Sequence, residues 1–204
     1  MGAAPPFSSV RAEMMSPQVS PSILIAALCV CLAIPSDAIG QETAPRRQGL
    51  WFLLGAGYGS ALIDCDQCSS DYDPGLAGTL AAGGTLSEQV LVGVEIDWWS
   101  REDDGVWTSI GNVSAVGYLF PRRDLGLFLK AGAGAAGFHS TGFGPDQDHF
   151  GVGVIAGVGY EIPVNVGLSI VPTASYQWGH MGDEGNFTGT SQNFFQVGVG
   201  VYMP

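Results

Sequence analysis

Three residues able to hold or move a proton stand in segments otherwise free of charge. Glu95 and Asp97 lie in Val90-Leu-Val-Gly-Val-Glu-Ile-Asp-Trp98, and Lys130, the chain's only lysine, lies in Leu127-Phe-Leu-Lys-Ala131. In both segments the charges share an alternate set opposite a bulky apolar one: Val92, Val94, Ile96 and Trp98 in the first, Leu127 and Leu129 in the second. Two carboxylates and one ammonium could relay a proton or gate a channel. They also fit a plain internal charge network that fills and fixes a protein interior, the reading the sequence favours. A buried ammonium without a counter-charge is expensive. Lys130 is therefore expected against Glu95, Asp97 or both.

Other groups carry weaker chemistry. Cys65-Asp-Gln-Cys68 has the spacing of a redox pair, but no βαβ pattern surrounds it. Zinc would want four ligands and no second pair exists, so a local disulfide closing a loop in an oxidising compartment is expected. His139, Ser140, His149 and His180 are candidates for a hydrolytic Ser/His/acid site. Adjacency sends the side chains of His139 and Ser140 to opposite faces of a strand, which is poor geometry for a nucleophile and its base. No catalytic residue, cofactor site or metal site is assigned.

The elements that must position these residues follow from composition and period. Charged residues make up 13% of the 204, about half the usual ~25%, and Gly, at 31, is about twice its usual share. No run of ~18 apolar residues occurs after residue 48, so no helix there is long and apolar enough to span a membrane. The longest apolar stretch, Ile23 to Ile34, precedes Pro35-Ser-Asp-Ala-Ile-Gly40. It reads as a secretory signal cleaved after Gly40, or else after Ala38. An uncleaved anchor helix is the alternative, Met14 or Met15 is an alternative start, and large residues before Cys29 and Cys31 discount lipidation. The expected organisation is a signal peptide over 1–40, a short periplasmic leader over 41–48 and one barrel domain over 49–204. Cleavage would leave six Lys and Arg against 17 Asp and Glu, a net charge of −11. That balance excludes nucleic acid as a partner.

Strands are predicted at 49–62, 75–86, 90–100, 106–120, 125–139, 150–162, 166–179 and 192–203. Short connections, Ser87–Gln89, Pro121–Asp124 and Pro163–Asn165, alternate with long ones, Asp64–Pro74, Arg101–Gly105, Ser140–His149 and His180–Ser191. Period-two alternation gives each strand one lipid-compatible face. An even number of such strands, with short turns on one side and long loops on the other, is the plan of an eight-stranded antiparallel transmembrane β-barrel in a bacterial outer membrane. Phe52, Leu54, Ala56 and Tyr58 would face lipid, with Leu53, Gly55, Gly57 and Gly59 inward. Pro172, which lacks an N–H, predicts irregular pairing in strand seven. Aromatics near strand ends predict two interfacial girdles: Trp98, Trp99, Trp107, Tyr176, Trp178, Phe194 and Phe195 on the loop side, and Trp51, Phe52, Tyr118, Phe120, Tyr160 and Tyr202 on the turn side.

Leu53-Leu-Gly-Ala-Gly-Tyr-Gly59, Gly151-Val-Gly-Val-Ile-Ala-Gly-Val-Gly-Tyr-Glu161 and Asn193-Phe-Phe-Gln-Val-Gly-Val-Gly-Val-Tyr202 resemble strands of the OmpA/OmpX-like outer-membrane β-barrel family. The resemblance covers essentially the whole chain after residue 40. It implies insertion by the barrel-assembly machinery, although the chain ends Tyr202-Met-Pro204 rather than on the family's aromatic. Eleven of the 17 carboxylates fall in the long loops: Asp64, Asp66, Asp71, Asp73, Glu102, Asp103, Asp104, Asp146, Asp148, Asp183 and Glu184. They form a solvated, self-repelling surface, or bind divalent cations that bridge lipopolysaccharide phosphates. The expected function is a non-enzymatic structural or surface-interaction role with a filled lumen, among outer-membrane lipids and lipopolysaccharide. The alternatives are a small-solute channel, an outer-membrane lipid hydrolase and a soluble lipocalin-like ligand binder.

Overall fold

A computed structural model describes residues 47–64, 72–142, 147–181 and 191–204. Among these, nine strands form: β1 (Leu50–Asp64), β2 (Asp73–Ser87), β3 (Val90–Asp103), β4 (Val106–Leu119), β5 (Leu127–Thr141), β6 (Gln147–Tyr160), β7 (Ile162–Asn165), β8 (Leu168–Met181) and β9 (Ser191–Met203). Consecutive strands pair antiparallel, except β6 and β7. β6 also pairs with β8, and β9 pairs back onto β1. The sheet thus closes into the expected barrel of eight long strands, each with a partner on both sides.

β7 explains the ninth strand. Gly159 pairs with Thr173 and Ile162 with Ile170 in one unbroken register, so β7 continues β6 beyond an interruption at Tyr160 and Glu161. The interruption falls opposite Pro172 and Val171, where the expected irregularity was placed. Proline has no N–H to offer that side of the ladder, while on the β5 side the Glu161 N–H still donates to Gly126 O at 2.8 Å.

Two connections differ from expectation. Pro163–Asn165 is strand rather than turn, and the chain reverses at Val166–Gly167, where Asn165 Oδ1 accepts the Gly167 N–H at 3.0 Å. Arg101–Gly105 is not a long loop. Strand β3 runs to Asp103, and Asp104 (φ 48°) and Gly105 (φ 78°) alone turn the chain. Two consecutive positive φ values define the hairpin turn for which Asp-Gly is the sequence signal.

Facing follows the predicted parity. Phe52, Leu54, Tyr58, Val94, Leu129 and Val152 are exposed on the outer wall, while Leu53, Leu91, Phe128 and Ile155 are buried inside. The girdles are half right. Trp98, Trp107, Tyr176, Trp178 and Phe195 face outward, as do Phe52 and Tyr160, but Trp51, Trp99, Tyr118, Phe120, Phe194 and Tyr202 are buried in the lumen. Inward glycines make that possible, because long side chains lie where a Cβ would otherwise be. A Cβ at Gly157 would stand 2.8 Å from Lys130 Cε and 2.8 Å from Ala174 O. Gly157→Ala is therefore expected to lower stability by about 1–3 kcal/mol through overpacking. Gly84→Ala, which meets nothing within 4 Å, should change it by less than ~0.5 kcal/mol. Urea unfolding in detergent micelles measures both.

Candidate functional site in the barrel lumen

The inward side chains stack in three layers. Nearest the short turns, Trp51, Tyr118, Phe120, Phe128 and Tyr202 form an aromatic floor. Trp51 meets Tyr118 edge to face at 5.1 Å, Tyr118 meets Phe128 at 5.5 Å, and Phe128 meets Phe120 at 5.3 Å. Such pairs add about 0.5–1.5 kcal/mol beyond the area they bury. Toward the loops, Ala61, Trp99, Ile110 and Phe194 form a second apolar layer, with Ile63 and Phe138 against it.

Between the two lies the polar layer. Lys130 Nζ donates to one Glu95 oxygen and Tyr118 OH to the other, and all three residues are buried. Glu95 and Lys130 stand on β3 and β5, two strands apart, and the narrow lumen lets them meet across β4. Asp97 is held differently, through one of its two oxygens. Its Oδ1 accepts from Thr79 Oγ1 at 2.7 Å and from Gln196 Nε2 at 2.8 Å, and Gln196 also reaches Ser175 Oγ at 3.1 Å. The structure thus brings Lys130 to Glu95 in an ion pair and ties Asp97, one turn of the pleat away, to neutral partners from β2 and β9.

Below the floor a second ion pair closes the mouth. Arg47, which the sequence placed in the polar leader, is 3% exposed and belongs to the barrel. Its Nε donates to Glu161 Oε2 at 2.8 Å, and its guanidinium lies 3.6 Å above the centre of the Phe120 ring. Ser169 Oγ donates to the other Glu161 oxygen at 3.0 Å. A planar cation with several donors suits a site that asks for both a carboxylate and a ring face. Glu161 stands at the break in the β6 ladder and continues the inward set of Ile155, Gly157 and Gly159. The space remaining in the floor, bounded by Trp51, Leu91, Phe128, Glu161 and Tyr202, is about 10 Å³, room for one water.

Tyr118, Gln196, Thr79, Arg47 and Glu161 were missed in the sequence. Parity alone could have found Tyr118, since Asn112, Ser114 and Tyr118 share one set on β4 and are all buried. No local signal marks Arg47, whose partner is 114 residues away.

The remaining candidates do not gather. His139 points outward and bonds Asp148 Oδ1 through Nδ1 at 2.6 Å. Ser140 belongs to the opposite face, His149 packs against Phe138, and His180 stacks on Trp178. Of the acidic residues, Asp73 and Asp103 pair with Arg101, and Glu102 and Asp104 are exposed. Among the described residues no group of three or more His, Cys, Asp or Glu could hold a metal ion. Cys65, Cys68, Asp66, Asp71, Asp146, Asp183 and Glu184 lie outside the described residues, as do the signal segment 1–40 and leader residues 41–46.

The chain matches the family model described as outer membrane protein beta-barrel domain over residues 23–202. Among solved structures it resembles Neisserial surface protein A, with TM-score 0.50 and 16% identity, covering 74% of this chain and 96% of that one. It also resembles Ail, the attachment invasion locus protein of Yersinia pestis solved with the heparin analogue sucrose octasulfate, with TM-score 0.50 and 13% identity, covering 76% of this chain and 99% of that one. No curated protein matches it in sequence.

Removing one member of a buried pair leaves the other charge unpaired, a loss of about 3–5 kcal/mol. Lys130→Met should therefore destabilise the barrel strongly in urea titrations, and Lys130→Met with Glu95→Gln should cost less than the two single losses summed. Additive losses would mean the pair contributes nothing.

Proposed function

Since this chain belongs to the outer membrane protein β-barrel family and lies in the bacterial outer membrane, we propose that it is a closed, non-enzymatic wall protein acting through its loop side. The observation that carries this reading is the filled lumen. An aromatic floor, a polar layer and a second apolar layer follow one another along the barrel, and Arg47 bonded to Glu161 closes the turn-side mouth. A solute would have to displace the Lys130–Glu95 pair and then an aromatic layer. An eight-stranded barrel is just wide enough for its side chains, which supports closure over a channel. The outer wall is apolar and the lumen packed, which speaks against a lipocalin-like binder, where the apolar set would line a ligand cavity.

The loop side is where the chain can meet other molecules. Glu102, Asp103 and Asp104 crown the β3–β4 hairpin, with Arg101 the nearby counter-charge. The Yersinia structure holds a polyanion; acidic residues suit the opposite charge. We take the natural partners to be cationic groups, or divalent cations that bridge the loops to phosphates of lipopolysaccharide. Insertion by the barrel-assembly machinery is part of the same proposal, as is a Cys65–Cys68 disulfide in the first long loop.

Planar-bilayer recording tests the main reading. The purified protein should show no stable conductance above that of an empty bilayer, and reproducible unitary currents would replace it with a channel. Alkylation without reductant, followed by mass spectrometry, should find Cys65 and Cys68 both protected. Two labelled thiols would remove the disulfide and reopen a metal or redox role.

A further inference from the structure

The polar layer of the lumen carries one negative charge too many. Glu95, Asp97 and Lys130 are its charged groups among the described residues, two carboxylates against one ammonium, and all three are buried. The ammonium is bonded to Glu95. Asp97 meets neutral partners through Oδ1 alone, and its Oδ2 is buried with no hydrogen-bond partner. A buried charge in that state is expensive unless something positive meets it. Arg47, the other buried cation among the described residues, is already paired with Glu161 beyond the aromatic floor.

The oxygens near Asp97 are short of donors as well. Asn112 stands directly opposite Asp97 on β4, and its Oδ1 is buried and unpartnered. Gln196 turns Nε2 to Asp97 Oδ1, because a carboxylate can only accept, and its Oε1 is left without a partner. Ser114 Oγ, next along the inward set of β4, has none either. Among the described residues of this layer, Gln177 Nε2 is the one unpartnered atom that can only donate. About 10 Å³ of space remains beside Thr79 and Gln196, the two residues that bond Asp97. That is room for one water or a small ion.

We propose that the layer holds one monovalent metal cation, bound by Asp97 Oδ2 with the side-chain oxygens of Asn112 and Gln196. Hard cations take oxygen ligands, carboxylate and amide oxygens among them. One positive charge brings the layer to neutrality, and a divalent ion would overshoot it. A proton on Asp97 would cancel the charge too, but it donates to one oxygen and leaves the others bare. An ion gathers several at once. With one carboxylate and neither His nor Cys, the ligand set does not suit a transition metal. The aromatic floor and the second apolar layer lie on either side. The ion therefore enters while the strands assemble, and the closure that bars a solute keeps it in place.

Urea unfolding of the purified protein in detergent micelles tests the site, with NaCl or KCl exchanged for choline chloride at constant ionic strength. For one bound ion the folding constant should rise with the alkali ion, approaching about tenfold per tenfold concentration. Choline should not replace it. Asp97→Asn should remove the dependence, so that its loss of stability appears only where the alkali ion is present. Asn112→Ala, which keeps the carboxylate, should move the rise to about tenfold higher salt, the weight of one bond to a charged group. Asp104→Asn, on the exposed hairpin, should keep the full dependence. Heat-modifiable gel mobility shows which variants have folded, and Asn112→Ala carries the test if Asp97→Asn does not. No alkali-ion dependence in the unmodified protein, or one that survives Asp97→Asn, would overturn the site. Stability that follows pH and not the ion would place a proton on Asp97 and overturn it as well. Unitary currents in planar bilayers would end the closed-wall reading with the dependence still in place. Loss of the dependence in a non-conducting barrel would remove the site alone.

Discussion

The width of an eight-stranded barrel governs this molecule. Its interior is about one layer of side chains across, so whatever the inward positions carry must both fill the space and cancel its own charge. Lys130 satisfies that constraint by lying over Gly157 and reaching Glu95, and Tyr118 completes the carboxylate from β4. Every layer repeats the arrangement with different chemistry. A long side chain from one strand covers a glycine on another, and its tip meets a partner farther round the wall. Trp51 covers Gly83 and Gly93 in the floor, and Trp99 covers Gly59 and Gly75 toward the loops. The high glycine content is thus the counterpart of the large residues inside.

Period two made the wall legible in the sequence. Inward and outward sets could be assigned strand by strand, and with them the place of Glu95, Asp97 and Lys130 in the lumen. The aromatics were harder for a physical reason. A girdle residue and a lumen-filling residue are equally large and equally placed near strand ends, so composition cannot separate them. Parity can, and on β1 it already placed Trp51 with Leu53 and Gly55, yet size suggested the membrane surface. Turns were legible where two residues dictate the backbone, as Asp104-Gly105 does, once strand β3 is allowed to continue through its charged end. Arg47 was not legible at all, and for Glu161 parity gave the inward face but not the partner. Their meeting depends on the fold of the whole barrel, a long-range event with no local pattern, which brings together residues 114 apart.

The same width separates the two surfaces that can act. Inside, the charged side chains of the polar layer bond within the lumen, and the room left in the floor is no larger than a water. Outside, the described wall is largely apolar, with Ser100, Ser109, His139, Asp148, His180 and Asn193 among the polar residues near its loop-side end. The rim and the outer wall are therefore the surfaces that other molecules can meet, and the packed lumen holds the wall in shape.

That division also bears on how the chain finds its register. Slipping any strand by one residue exchanges its two faces. On β5 the slip would carry Lys130 into the hydrocarbon, where a midplane lysine costs about 2–4 kcal/mol, and would bring Leu129 into the space over Gly157. On β3 it would expose Glu95 and Asp97 together while Trp98 entered the lumen. An apolar interior of the same volume would oppose such slips only through shape, and small outward residues such as Ala131, Ala133 and Ala135 would do little to resist them. Buried charge is a weak source of net stability, so its value in this barrel lies elsewhere. The Lys130–Glu95 pair thus penalises every one-residue slip of β3 or β5, and among slips that keep the faces it favours the one alignment in which the ammonium reaches the carboxylate.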